Sequence, residues 1–297
     1  MPGIIKCISY VMCTKNRGAI FLSTLQDLIA SKRPQDEIVI VDGGDDLEIQ
    51  RVLHTKRATG EIDTLIEGPD KNQAHGWNRG FLACQGEFIK KITDDDVFDY
   101  SAIRVCAEYL ESHVEYDLVI SNELFTDMTR IPSYDFHSFE SGLLGWRRGT
   151  TRSFFFSDPH ILIRASSLPW LGLFSTSVAL IDYEWSLRVT ALGAKIAYFT
   201  GANSMTVWHK ATVTGQMSER EYYDEYSRLD RFYRNTANPF RPWRRRLIKA
   251  RLWLSRIGGI KNEIEAEGSN RKIAPSHLEE MRGVLANHNQ TTSLTFF

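Results

Sequence analysis

Three consecutive carboxylates, Asp94, Asp95 and Asp96, follow directly on the apolar run of "EFIKKIT". Like charges this close repel, and more strongly where water is excluded. Two readings fit. One is a solvated acidic turn that also caps the helical stretch "FDYSAIRVCAEYL"; the other is a divalent cation, which turns the repulsion into ligation. A second acidic stretch, "VDGGDD", ends another apolar run with Asp42. A carboxylate there can accept a uracil imide N–H or a ribose hydroxyl, and the glycines let backbone approach a ligand. The same residues also suit an ordinary turn with an N-cap. A third polar cluster, "CTKNRG", brings Thr14, Asn16 and Arg17.

These clusters need elements to position them. The first half of the chain alternates in period: strand-like "IIKCISYVMC", "EIVIVD", "IDTLIEG", "EFIKKIT" and "YDLVIS" are separated by stretches with helical spacing. Such alternation predicts right-handed βαβ units and an α/β fold with a mixed, mainly parallel sheet flanked by helices. Ligands of such sheets bind at the carboxyl ends of the strands. The three polar clusters sit at those ends, which argues for a nucleotide site. From about residue 122 to 158 the alternation breaks into a long aromatic segment, and segments of that length are commonly functional. Strand-like "HILIR", helical "DYEWSLRVTALG", and strand-like "KIAYF" and "NSMTVWH" follow. After Ser218 the chain reads helical and highly charged. The expected domains are 1–217, split into a nucleotide half (1–121) and an acceptor half (122–217), and a helical extension over 218–297.

The chain has 297 residues with 42% hydrophobic and 25% charged side chains, enough for a full core. A formal net charge of -1 gives no global basic field, so no nucleic-acid partner is expected. The four cysteines show no metal-ligand spacing and read as reduced residues of a cytoplasmic protein. No secretory or membrane-spanning run is present.

The stretch "GPDKNQAHGWNRGFLACQGEFIKKITDDDVF" resembles the family-two glycosyltransferases of GT-A fold, whose pattern runs D-x-G-x-x-D-A-x-N-x-G, then A-x-G-(D/E), a strand and an aspartate cluster. Asp70, Asn78, Gly80, Ala83, Gly86 and Glu87 match in order. The opening "VMCTKNRG" is similar to the family's first strand and donor loop, and the resemblance covers roughly residues 4 to 215. It implies a Rossmann-like GT-A domain binding a nucleotide-sugar donor through Thr14, Asn16, Arg17, Asp42, Asp70, Lys71, Asn78, Asp94 and Asp95. It implies Mn²⁺ or Mg²⁺ held by Asp96, with Asp94 on the ribose or on the metal and Asp95 able to exchange roles with either. Two residues depart from the pattern: Asn72 stands for glycine and His75 for aspartate, both near the expected sugar.

A second landmark, "LIDYEWSLRVTALGAKI", resembles E-D-x-(D/E)-L-x-x-R followed by G-x-(K/R)-I, with Ile181 in place of the first glutamate. The resemblance implies Asp182 as the base that takes the acceptor proton, Glu184 as the reserve, and Arg188 in a structural or acceptor role. His209 is implied as a further metal or pyrophosphate ligand. Trp146 and its aromatic neighbours would form an acceptor wall, a lid or a subunit contact, with His75 near the acceptor.

The function so implied is sugar transfer from a nucleoside diphosphate donor, UDP-linked, to a hydroxyl of a glycan or lipid-linked acceptor. The alternatives are a non-catalytic binding module of the same fold, or a sugar nucleotidyltransferase, whose G-x-G-T-R-like loop is missing. In residues 241–257, Trp243, Leu247, Ala250, Leu254 and Ile257 form an apolar stripe among Arg244, Arg245, Arg246, Lys249, Arg251 and Arg256. That pattern fits an anionic membrane surface at the inner face of the membrane. It equally fits packing on the catalytic domain or a second subunit, so self-association stays open.

Overall fold

The computed structural model describes residues 7–127, 130–209, 216–234 and 274–297. The first strand, β1 (Ile8–Thr14), is buried along nearly its whole length, as a strand covered by helices on both faces must be. Next come α1 (Gly18–Ser31), β2 (Glu37–Asp42), α2 (Leu47–Ala58) and β3 (Thr64–Glu67). They are followed by α3 (Gln73–Ala83), β4 (Phe88–Ile92), β5 (Val97–Phe98), α4 (Tyr100–Ser112) and β6 (Leu118–Ser121). The aromatic segment is not a loop: it holds β7 (Glu123–Asp127), β8 (Asp135–His137) and α5 (Glu140–Arg147). Then come β9 (Ile161–Arg164), α6 (Leu168–Leu171), α7 (Ile181–Ala191), β10 (Ile196–Phe199) and β11 (Ser204–Trp208). Two helices close the described chain, α8 (Glu219–Arg234) and α9 (Pro275–Thr291).

The main sheet has seven strands in the order β10-β6-β9-β4-β1-β2-β3. β9 pairs antiparallel with both its neighbours, and the other pairings are parallel. A smaller sheet, β5-β11-β7-β8, abuts it. Thr14 lies opposite Asp42 in register, so the polar residues ending β1 and β2 emerge side by side. Local chemistry sets the helix starts. Asp46 accepts from the backbone N–H groups of Glu48 and Ile49, and Asp99 from those of Ser101 and Ala102. Gly80 lets α3 lie close on the sheet, since a Cβ there would come within 2.4 Å of Val11.

Leu143, Phe154 and Phe156 are buried in the core on one face of the main sheet, together with Trp185 and Phe174. The aromatic segment thus supplies core rather than a surface wall. Beneath the small sheet, Leu278, Met281 and Leu285 of α9 pack against Val97, Leu124, Met205 and Val207. Beyond α9 the chain pairs with the edge strand β10: Tyr198 and Phe297 exchange backbone hydrogen bonds, and Phe296 stacks on Tyr109 and Phe199. All four cysteines are free. The basic stripe of 241–257 lies outside the described residues.

Candidate active site

A cleft of about 540 Å³ opens at the carboxyl ends of β1 and β4 and is lined by Thr14, Arg17, Asp70, Asp94, Asp95, Asp96 and Asp182. These seven come from four separate stretches of the sequence and are brought together as expected of a nucleotide-binding sheet.

The aspartate triplet is buried, and its members face different partners. Asp94 lies 3.7 Å and Asp95 3.5 Å from the Arg17 guanidinium. Asp95 Oδ2 also sits 3.0 Å from His209 Nε2. Asp96 is turned inward: its oxygens accept from Thr93 Oγ1 at 2.5 Å and the Val207 N–H at 2.9 Å. Burial, then the charge of Asp95, pushes Asp94 up to about 7 and Asp96 up to about 8. Burial would raise Asp95 as well, but the His209 hydrogen bond and the Arg17 charge hold it below the ordinary carboxylate range. Of the three, Asp95 is the one its neighbours hold toward the ionised form.

Among the described residues no three His, Cys, Asp or Glu side chains form a ready-made metal cage. The Asp95–His209 pair nevertheless suits one edge of a coordination sphere. Adjacent ligands of an octahedral ion at about 2.1 Å stand about 3 Å apart, and Mg²⁺-type sites take one or two protein ligands with substrate phosphates completing the shell.

Asp42 and Asn16 do not line the cleft but stand beside its Thr14 edge. Asn16 and Asp45 exchange two hydrogen bonds that join the loops after β1 and β2. Asp42 Oδ1 accepts from the Gly44 N–H, while Asp42 Oδ2 and the neighbouring Thr14 Oγ1 are buried with no hydrogen-bond partner among the described residues. Buried polar atoms left unpaired are costly, and a base or ribose would satisfy them. Asp70 is gripped by Arg79 at 3.0 Å in a recess that Gly43 and Gly76 keep open.

Asp182 sits in the first turn of α7. Its Oδ1 accepts from the Tyr183 N–H at 2.7 Å, and burial, followed by the field of Asp158, pushes it up to about 7. The start of α7 is held by α8: Glu225 Oε1 accepts from the N–H groups of Ala179 and Leu180 at 2.7 and 2.6 Å.

Other candidates are placed elsewhere. Glu184 is bound to Arg188 at 2.9 Å and accepts from Tyr233 Oη at 2.5 Å. Arg188 also donates to the carbonyls of Leu171 and Leu173, fixing the loop before α7. Trp146 donates from Nε1 to the Thr190 carbonyl and packs on Phe154. Asn78 exchanges hydrogen bonds with the backbone of Phe174. Asn72 caps α3 and donates to the Thr176 carbonyl, and His75 Nδ1 accepts from the Lys71 N–H. Of these six side chains only Asn72 lines the cleft. Sequence reasoning missed Lys91 and Asp158, an ion pair at 2.5 Å in the cleft wall. The signal was two lysines interrupting the otherwise apolar "EFIKKIT".

The model of the family described as "Glycosyl transferase family 2" matches residues 9–169, more than half of the chain. The chain belongs to glycosyl transferase family 2. No curated protein matches it. Among solved structures, Staphylococcus aureus TarS 1-349 in complex with UDP-GlcNAc has a TM-score of 0.57 at 12% identity, covering 97% of this chain and 73% of that one. A longer S. aureus TarS structure has a TM-score of 0.52 at 13% identity over 75% of this chain, which spans 39% of that one. At these identities the likeness shows the fold: the family 2 chain has the GT-A fold of these neighbours, and glycosyltransfer from a nucleotide sugar is its family activity.

Proposed function

We propose that this glycosyltransferase moves a hexosyl group from a UDP-linked donor to a hydroxyl of a glycan or lipid-linked acceptor, with inversion and a divalent cation. The observation that carries this reading is the joint presence, in one cleft, of Asp95, which His209 contacts, and the half-buried carboxylate of Asp182. The UDP assignment draws on the unpartnered Asp42 Oδ2 and Thr14 Oγ1, and on the UDP-GlcNAc held by the TarS structure that shares the fold.

Asp95 and His209 would hold Mn²⁺ or Mg²⁺, which when bound offsets charge on the departing nucleoside diphosphate. Arg17 lies beside the same carboxylates and supplies a fixed positive charge for the phosphates. Asp42 and Thr14 orient the base or ribose. Asp182 Oδ1 is engaged by backbone, so Oδ2 is the oxygen that takes the acceptor proton. As the acceptor oxygen bonds to the anomeric carbon, the bond to the phosphate oxygen breaks on the opposite face. A base with pKa near neutrality suits that late proton transfer.

A panel of nucleotide sugars tests this, scored for binding and hydrolysis with Mn²⁺ and with EDTA. UDP-sugars should bind and be hydrolysed slowly with metal, and absence of binding by any nucleotide sugar would end the proposal. The basic stripe over 241–257 would place the enzyme peripherally on an anionic membrane carrying a lipid-linked acceptor. No described helix is long and apolar enough to cross a membrane.

A further inference from the structure

β4 carries two lysines through the centre of the main sheet, and the period of two sends them to opposite faces. Lys91 meets Asp158 at 2.5 Å, with 3% and 6% of the two side chains exposed. Its ammonium also lies 4.5 Å from the centroid of the Trp77 ring. A buried ion pair is a poor source of stability, since apolar residues of equal volume do as well or better. Stability therefore does not account for it.

The turn bearing Asp158 is fixed from behind with unusual redundancy. Pro159 O accepts from Lys90 Nζ, itself fully buried, and from Ser204 Oγ. The next residue, His160, is bound through Nδ1 to Ser204 Oγ at 2.7 Å and through Nε2 to Glu123 Oε1 at 3.2 Å. Asn203 Nδ2 donates to the His160 carbonyl. This buried network holds one short turn, and what the turn presents to the cleft is Asp158. Lys91 takes Asp158 Oδ2; Oδ1 has no hydrogen bond among the described residues. Asp182 is near enough for the charge of Asp158 to raise it.

We propose that Asp158 is a specificity-determining residue: Oδ1 accepts a hydrogen bond from a hydroxyl of the donor's hexosyl group, and Lys91 is the positioning residue that aims it. This rests on the nucleotide-sugar reading above. The chemistry selects a neutral sugar. Lys91 is committed to Asp158 and Arg79 to Asp70, so neither cation is left to pair a uronic acid, and the Asp182 carboxylate lines the same cleft.

The test is calorimetric binding, in Mn²⁺, of UDP, UDP-glucose, UDP-galactose, UDP-N-acetylglucosamine and UDP-glucuronic acid. The quantity read is the affinity of each UDP-sugar relative to UDP. In the wild type a neutral sugar should bind more tightly than UDP, and the glucuronate should not. Asp158→Asn should leave UDP within about twofold while cutting the neutral sugar's advantage about tenfold or more, as loss of a charged hydrogen bond does. Damage to the fold would weaken UDP and UDP-sugars alike, so the ratio isolates the sugar contact. Lys91→Met with Asp158→Asn leaves no stranded charge and should give the same ratio as Asp158→Asn. An unchanged ratio in either variant, or a wild type indifferent to every neutral sugar, overturns the inference alone. Failure of the wild type to bind UDP overturns the donor reading beneath it.

Discussion

His209 Nε2 stands 3.0 Å from Asp95 Oδ2, across 114 residues of chain and between the ends of strands in two different sheets. The other two carboxylates of the triplet have different partners: Asp94 leans on Arg17, and Asp96 is enclosed by Thr93 and the backbone of Val207. Asp95 is the member whose neighbour is itself a metal-ligand side chain. The division of labour within "DDD" follows from where β11 ends, which no local sequence pattern contains.

Asp95→Asn and His209→Gln are each expected to weaken Mn²⁺-dependent UDP binding by at least about tenfold. The Mn²⁺-independent component should change little. Asp96→Asn should keep the Mn²⁺ response but lower stability by about 1–3 kcal/mol, since an amide replaces one acceptor of the internal pair. Calorimetry of UDP with and without Mn²⁺, beside thermal unfolding, separates these. If Asp96→Asn abolishes the Mn²⁺ response in a folded protein and Asp95→Asn does not, the ligand is Asp96.

Asp182 sets the pH dependence. Burial and the charge of Asp158 push it up to about 7, and it works as a base only when ionised. The rate constant kcat/KM should therefore rise with pH through about 7 and level above it, where an ordinary carboxylate would place the limb near 4. Asp182→Asn should lower turnover by about 10²-fold or more with UDP-sugar binding retained. Profiles from about pH 5 to about pH 9 check both statements; a wild-type limb unmoved from the ordinary carboxylate range would remove Asp182 from the role.

The alternation of apolar strands and amphipathic helices made the parallel core legible, because burial of β1, β2 and β4 demands near-continuous apolar runs. The antiparallel insertion of β9 was not legible: "HILIR" reads the same in either direction. The aromatic segment read as a surface feature because its residues follow no clean period. In the structure Phe154 and Phe156 face the core from irregular backbone. Asp94 to Asp96 stood out by their place at a strand end, and Asp70 and Asp182 through the family resemblance. Lys91 with Asp158 and the grip of Glu225 on α7 were not, since each is a contact between distant segments.

Glu184 and Arg188 supply the contrast to Asp182, only two and six residues away. Their ion pair, with Arg188 bound to the Leu171 and Leu173 carbonyls, staples α7 to the loop before it. Arg188→Ala strands the buried Glu184 carboxylate and is expected to lower stability by about 3 kcal/mol. Glu184→Gln should lower the unfolding temperature while the folded fraction keeps turnover within about twofold to threefold. Denaturant melts paired with activity per folded molecule decide it. A dead but fully stable Glu184→Gln would make Glu184 part of the chemistry.

The basic stripe over 241–257 yields the last expectation. Arg244, Arg245, Arg246, Lys249, Arg251 and Arg256 crowd one short segment with Trp243 and Leu247, and each basic residue near an anionic surface contributes roughly 1 kcal/mol. Cutting the chain before this segment is not a fair test, because α9 follows it and buries Leu278, Met281 and Leu285 under the small sheet. Charge reversal in the full chain is cleaner. The wild type should float with phosphatidylserine-containing vesicles at low salt and release at high salt, since screening shortens the reach of surface charge. Replacing Arg244, Arg245 and Arg246 by Glu should abolish flotation while leaving UDP binding and slow UDP-sugar hydrolysis intact. Flotation unaffected by the triple substitution would take the membrane contact away from this segment. Loss of UDP binding along with flotation would mean instead that the segment packs on the catalytic domain.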